Sequence, residues 1–290
     1  VVTVELSPPK GTDVTRLLAH AEALKGRVDA INVPDCQLSM LKMSSMATSK
    51  LIQDHTGIEA VWQLTCRDRN LIALQADLLG GYALGLHNVL ALTGDPVQIG
   101  DQKEHAKQVF HLESVRLLDL IKTMGEGRDA CGQELKGAPP DFTVGAAINP
   151  FRLVSQAQFN RVKQKVERGV RFFQTQPVYH ADQVEKIREL LKNISDEVGY
   201  PAPKLLLGII PPRSAQAARR MNQEIVGVNI PESFIEMLER SANPVNESIQ
   251  YCAEVVHSLG PLVDGFHFMP VGMASKVGQL LDACFAVSST

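Results

Sequence analysis

The stretch Leu90-Ala91-Leu92-Thr93-Gly94-Asp95-Pro96 is an apolar run of strand length that ends in a Gly-Asp-Pro turn. Gly and Pro set such a turn and an Asp can hydrogen-bond its own backbone there, so the motif alone is ordinary turn chemistry. Recurrence gives it weight. Working outward from it, other β-rich runs also end in polar, chemically able residues: Glu5, Asn32, Gln63 with Thr65, Asn149, Thr175 with Gln176, and His267.

Between these runs the apolar spacing changes to that of a helix. Strand-like runs at 1–6, 29–33, 59–66, 88–93, 142–148, 172–178, 204–210 and 265–269 alternate with helical segments. Val14, Leu17, Leu18, Ala21 and Leu24 share one helix face, as do Val184, Ile187, Leu191 and Ile194. Asn70 is placed to cap a helix carrying Leu71, Leu74, Leu78 and Leu79. The longest connection is roughly 95–112, and extra helices after the seventh strand mark an insertion around Ile230-Pro231-Glu232. Eight strands alternating with helices predict an α/β fold: a closed, parallel (β/α)8 TIM barrel, one domain over residues 1–290. A doubly wound open sheet is the competitor, but no Gly-x-Gly-x-x-Gly follows the first strand. In a barrel the strand C-termini open on one face, so the polar strand ends gather into a single pocket.

Composition bounds the rest. A net charge of −3 gives no basic footprint for nucleic acid. There is no apolar run long enough for membrane insertion and no signal-like start, so the expectation is a soluble, cytoplasmic chain. Cys36, Cys66, Cys131, Cys252 and Cys284 form no CxxC pair, and His20, His55, His87, His111 and His257 form no His-x-x-x-His pair; reduced thiols and no metal site are expected. Trp62 and Phe172-Phe173 read as core, and residues 185–192 as a solvated helix face. Arg67-Asp68-Arg69 reads either as an ion-pair cluster at the barrel mouth or as a contact for a cofactor or partner. Glu5 is the most informative residue. A carboxylate between Val4 and Leu6 is costly to bury, and it either pairs with a basic residue or, with a raised pKa, serves as a general acid.

Eight segments in order carry a resemblance across nearly the whole chain. They are Val4-Glu5-Leu6-Ser7-Pro8-Pro9-Lys10, Val28-Asp29-Ala30-Ile31, Leu64-Thr65-Cys66-Arg67-Asp68-Arg69-Asn70, the Leu90 to Pro96 stretch, Gly145-Ala146-Ala147-Ile148-Asn149-Pro150, Thr175-Gln176-Pro177-Val178-Tyr179, Gly208-Ile209-Ile210-Pro211 and Gly265-Phe266-His267-Phe268-Met269-Pro270. Together they resemble the methylenetetrahydrofolate reductase family, in particular the branch found in acetogens and fused to homocysteine methyltransferases.

The resemblance implies flavin-dependent reduction of 5,10-methylenetetrahydrofolate to 5-methyltetrahydrofolate, with hydride from flavin N5. It implies FAD, with FMN as the alternative, and electrons from NADH or from a partner protein. Glu5 matches the acid that protonates folate N10; Asp95 matches the carboxylate near flavin and pterin; Gln176 matches an amide contacting the pterin. Gln63, Thr65, Thr93, Gly94, Asp95, Ala147, Asn149, Lys165 and Thr175 match flavin-lining positions, with Lys165 toward the phosphates. Departures also matter. Gln63 and Ile148 stand where better-known bacterial members have His and Tyr. Met221 aligns with the aromatic that stacks folate and nicotinamide, and Met269 and Met273 align with a Tyr and an Arg. The family further implies a homo-oligomer or a partner redox or methyl-transfer subunit. The alternative reading is a folate- and flavin-binding subunit that receives its electrons from another chain.

Overall fold

A computed structural model describes residues 1–153, 155–225 and 227–285. All eight expected strands form: β1 (Val2–Glu5), β2 (Ala30–Val33), β3 (Glu59–Thr65), β4 (Asn88–Leu92), β5 (Thr143–Ile148), β6 (Phe172–Pro177), β7 (Lys204–Ile209) and β8 (Gly265–Phe268). Each pairs in parallel with the next, and β8 closes on β1 with Thr3 opposite His267, so the expected TIM barrel is the observed fold.

The helices are α1 (Thr15–Glu22), α2 (Ser45–Thr56), α3 (Leu71–Ala83), α4 (Ser114–Gly125), α5 (Gln156–Glu167), α6 (Ala181–Val198), α7 (Ala215–Glu224), α8 (Glu232–Arg240), α9 (Pro244–Leu259) and α10 (Val277–Phe285). Their starts follow local chemistry: the side chains of Ser44, Asn70, Ser155, Ser214 and Asn243 accept from first-turn amides. α6 runs past the expected end at 194, because its apolar face continues until Gly199 adopts the left-handed conformation that closes it. The last helix opens with a 3-10 turn, Ala274–Lys276, where a continuous α-helix was expected.

Parallel strands are covered on both faces, which produces two apolar regions. Trp62 and Phe173 pack outward beneath the helices. Ala30, Val61, Leu90, Phe172 and Leu206 fill the barrel interior. Gly145 makes room for that filling, since a Cβ there would lie 2.2 Å from the Phe172 ring. Among the described residues no helix is long and apolar enough to cross a membrane.

Candidate active site

Side chains alternate along a strand, so the interior apolar layer determines what faces the pocket. Two residues beyond Ala30, Val61 and Phe172 come Asn32, Gln63 and Gln174, and Asn32 is paired in register with Glu5. A polar layer therefore sits on the apolar one. Asn32 and Gln174 close on each other across the barrel: Asn32 Nδ2 donates to Gln174 Oε1 (2.7 Å), and Gln174 Nε2 donates to Asn32 Oδ1 (3.1 Å). Asn32, expected among the pocket residues, is thus committed to the floor.

Glu5 stands at the C-terminal end of β1 with its side chain 19% exposed. Burial pushes its carboxyl up from 4.5 to about 7, against the Gln63 amide, which favours the ionised form. Among the described residues no cation pairs with it. His267 approaches to 4.0 Å, but burial lowers its pKa to about 3, so the ring is neutral and the contact is not an ion pair. Thr3 Oγ1 holds His267 Nδ1 at 2.9 Å. Among the described residues, the sequence alternative of a Glu paired with a basic residue is therefore not what this strand end contains.

Asp95 is held by the loop that follows β2. Its Oδ2 accepts from the Leu38 amide at 2.7 Å, and Ser39 Oγ donates to the carbonyls of Asp95 (2.8 Å) and Pro96 (3.0 Å). Cys36, Leu38 and Ser39 all have positive φ (49°, 54° and 53°), a conformation that costs non-glycine residues of order 1 kcal/mol or more each. Gly94, at φ 94°, completes the arrangement: a Cβ there would meet the Cβ atoms of Thr65 and Arg67 at 3.0 Å. The Arg67-Asp68-Arg69 segment proves to be an ion-pair cluster. Arg67 is buried, binds Asp68 and donates to Cys36 O at 3.1 Å, while Arg69 bridges Asp35 (2.6 Å) and Asp77 (2.7 Å). Thr65 belongs to the same network, donating through both its amide (3.0 Å) and its hydroxyl (2.7 Å) to Asp35.

On the other side of β4 lies a cleft of about 330 Å³ lined by Leu92, Thr93, Ser114, Ala147, Arg161 and Lys165 among others. Lys165 is 8% exposed and donates to Ala147 O at 2.8 Å. Burial, with help from the Arg161 charge and against that of Glu113, lowers its pKa to about 8. Thr93 Oγ1 accepts from the Ser114 amide (3.1 Å) at the start of α4, so the cleft also opens on a helix N-terminus. Arg161 was missed in the sequence. Its signal was its place one turn before Lys165, on the same face of α5.

The remaining expected residues divide. Gln176 is half-buried at the end of β6, and its side-chain amide makes no hydrogen bond among the described residues. Asn149 caps the turn that follows β5, accepting from the Phe151 amide at 3.0 Å, and the Gly227 backbone lies against both Asn149 and Gln176. Thr175 is buried, its hydroxyl accepting from the Gly208 amide at 2.8 Å, and so is committed to the sheet. Met221 is 7% exposed and belongs to the core. Met269 is half-buried, with its methyl close over Gly208. The structure thus gathers Glu5 with Gln63 on one side of the mouth and Thr93, Ala147 and Lys165 in the cleft.

The family described as methylenetetrahydrofolate reductase matches residues 1–284. The chain is similar to methylenetetrahydrofolate reductase 2 of Schizosaccharomyces pombe, 24% identical over 246 residues, covering 82% of this chain and 37% of that protein. It is also similar to a probable methylenetetrahydrofolate reductase (NADPH) of Caenorhabditis elegans, 26% identical over 196 residues, covering 68% of this chain and 26% of that one. The chain therefore spans about a third of the length of these curated relatives. Among solved structures, a Clostridium thermocellum protein that binds two copies of 5-methyl-5,6,7,8-tetrahydrofolic acid superposes with a TM-score of 0.69 at 12% identity, covering 98% of this chain and 93% of that chain. An F420-dependent secondary alcohol dehydrogenase in complex with an F420-acetone adduct superposes with a TM-score of 0.62 at 11% identity, covering 98% of both chains. At those identities the two structures speak for the barrel alone. The family match over nearly the whole chain decides membership: this chain belongs to the methylenetetrahydrofolate reductase family.

Proposed function

We propose that the chain reduces 5,10-methylenetetrahydrofolate to 5-methyltetrahydrofolate with a bound flavin, Glu5 acting as the general acid. The observation that carries this reading is Glu5 itself: a nearly enclosed carboxyl, without a cationic partner among the described residues, whose pKa of about 7 keeps a proton available at neutral pH. Neutral His267 behind it adds no charge that would strip that proton away.

Two features fit a flavin. The cleft holds the cations Lys165 and Arg161, the latter paired with Glu113, and it opens on the N-terminus of α4. FAD suits a cleft whose cations would meet its phosphates; FMN is the smaller alternative. When bound, the flavin supplies the hydride.

This chain's residues do the rest. Glu5 protonates the folate nitrogen as the imidazolidine ring opens. Asp95, with Oδ2 taken by Leu38 and Oδ1 unbonded among the described residues, accepts from the pterin edge. Gln176 presents an amide with no hydrogen-bond partner among the described residues. Thr93, Gly94, Ala147, Asn149 and Lys165 line the flavin, with Gln63 and Thr65 behind them.

A second reading concerns the electron donor. Met221 is sealed into the core and offers no face for stacking a nicotinamide, which favours a partner redox or methyl-transfer subunit over NADH. The acetogen-type branch, a homo-oligomeric assembly and a cytoplasmic location belong to the same proposal.

An anaerobic absorbance experiment tests both readings. A yellow protein bleached by NADH and recovered by methylenetetrahydrofolate is the self-sufficient reductase. Bleaching by dithionite but not NADH, with recovery by folate, selects the partner-driven form. A flavin that folate never reoxidises would overturn the functional proposal.

A further inference from the structure

β6 does not run evenly into the pocket. Gln174 pairs with Leu206 and Pro177 with Gly208, so three steps along β6 are set against two along β7. This irregularity is a bulge, and a bulge re-aims the side chains it carries. Gln176 is one of them.

Three contacts hold the bulge. The Gly208 amide donates to Thr175 Oγ1 at 2.8 Å, and the Val178 amide donates to Gly208 O at 3.1 Å, so the irregular stretch keeps its hydrogen bonds. Gly208 itself must be glycine-sized, because a Cβ would lie 2.5 Å from Thr175 O. The third contact is the reciprocal amide pair of Gln174 with Asn32, which grips β6 at its last in-register residue. β2 and β6 are diametrically placed in the eight-stranded barrel. Asn32 is also in register with Glu5. One end of the pair is therefore beside the acid, and the other is two residues from the pterin-side amide.

We propose that Asn32 and Gln174 are positioning residues whose reciprocal amide pair sets the bulge of β6, and through it the place of Gln176 relative to Glu5. The inference rests on the folate-reductase reading for what Gln176 touches. Its geometric part does not. A buried polar pair in this layer is a poor choice for stability alone, since apolar side chains of the same shape would fill it at little or no cost. Two amides facing each other accept one register and one separation, which apolar contacts would not enforce.

The test is a cycle of variants in the intact chain. Replacing both partners, Asn32→Leu with Gln174→Met, avoids leaving either amide unpaired. It should raise the folate KM about tenfold, as expected for one misaligned hydrogen bond, with flavin content unchanged. In a Gln176→Ala background the same replacement should leave KM nearly where Gln176→Ala alone puts it. The swap Asn32→Gln with Gln174→Asn, which keeps both amides and their combined length, should restore KM. Additive effects, or an unchanged KM in the wild-type background, would overturn the proposal.

If the wild-type chain does not turn over folate, the functional reading fails and this one is still decided by a ligand-free crystal structure. There the apolar pair should shift the bulge and break the Thr175 to Gly208 bond, and an unmoved bulge would overturn the inference. Should the apolar pair fail to fold, Gln174→Asn alone shortens one arm by a methylene and is read in the same two ways.

Discussion

Glu5 carries the proposed acid chemistry and the cost of a buried carboxyl together. Because its folded pKa is raised from 4.5 to about 7, the folded state binds more protons than the unfolded chain between those values. The Glu5 contribution to stability is then fully present below pH 4.5 and is lost as pH rises from there through 7. Glu5→Gln is expected to lower folate reduction by about 10² to 10⁴, the usual loss of a general acid, while leaving flavin reduction by dithionite intact. The same variant should be more stable than wild type at pH 8, by up to about 3 kcal/mol, with no advantage at pH 4.5. Urea titrations at the two pH values check the sign, and equal loss in both half-reactions would remove Glu5 as the acid. Lys165 titrates in the opposite sense. Its amine is charged below about 8, and the charged form is the one that meets phosphates, so flavin affinity should hold below pH 8 and fall above it. Lys165→Met should flatten that profile and weaken flavin binding, measured by fluorescence on the reconstituted protein. Glu5 was visible in the sequence as a charge within an apolar strand period, whereas Lys165 was singled out by the family resemblance alone. A raised pKa was one of two readings open for Glu5 and the lowered pKa of Lys165 was not legible, since desolvation depends on neighbours far away in the chain.

At the level of elements, the mouth is built by loops that hold one another. The turn after β2 bears three non-glycine residues at positive φ, and it is kept there by Asp95, Pro96 and Arg67. Ser39→Ala removes the hydroxyl bonds to Asp95 O and Pro96 O. It should cost about 1 kcal/mol in stability and raise the folate KM, seen by comparing thermal melts with steady-state kinetics. Gly94→Ala is expected to be worse, about 1–3 kcal/mol, because φ 94° is strained for any side chain and the new Cβ meets two others. Helix starts and strand extents were legible from local signals, such as Asn70 before α3 and Gly169 after α5. The left-handed turn at Cys36 to Ser39 was not, because no Gly or Asn marks it and the contacts that sustain it come from Arg67 after β3 and from the loop after β4. That Thr175 and Asn32 brace the barrel was not legible for a related reason: the partners of a polar strand end lie across the sheet.

For the molecule as a whole, closure is the organising fact. β1 meets β8, Thr3 meets His267, and residues from both chain ends share one polar layer. Beneath it Phe172 fills the interior against Gly145, so Phe172→Ala should destabilise the barrel by about 3–5 kcal/mol, read from the denaturant midpoint. The sequence by itself determined the eight-strand alternation, the parallel class that follows from it, and the residue types delivered to the strand ends. Those depend on period-two and period-3.6 spacing, which is local. Only the tertiary structure decided which of those residues stay free. Asn32 turned to Gln174, Thr65 to Asp35 and Thr175 to Gly208, whereas among the described residues Glu5 has no cationic partner and the Gln176 side chain no hydrogen bond. The physical reason is that closing the barrel brings strands far apart in sequence within hydrogen-bonding distance, and desolvation then makes each polar group either find a partner or keep its proton.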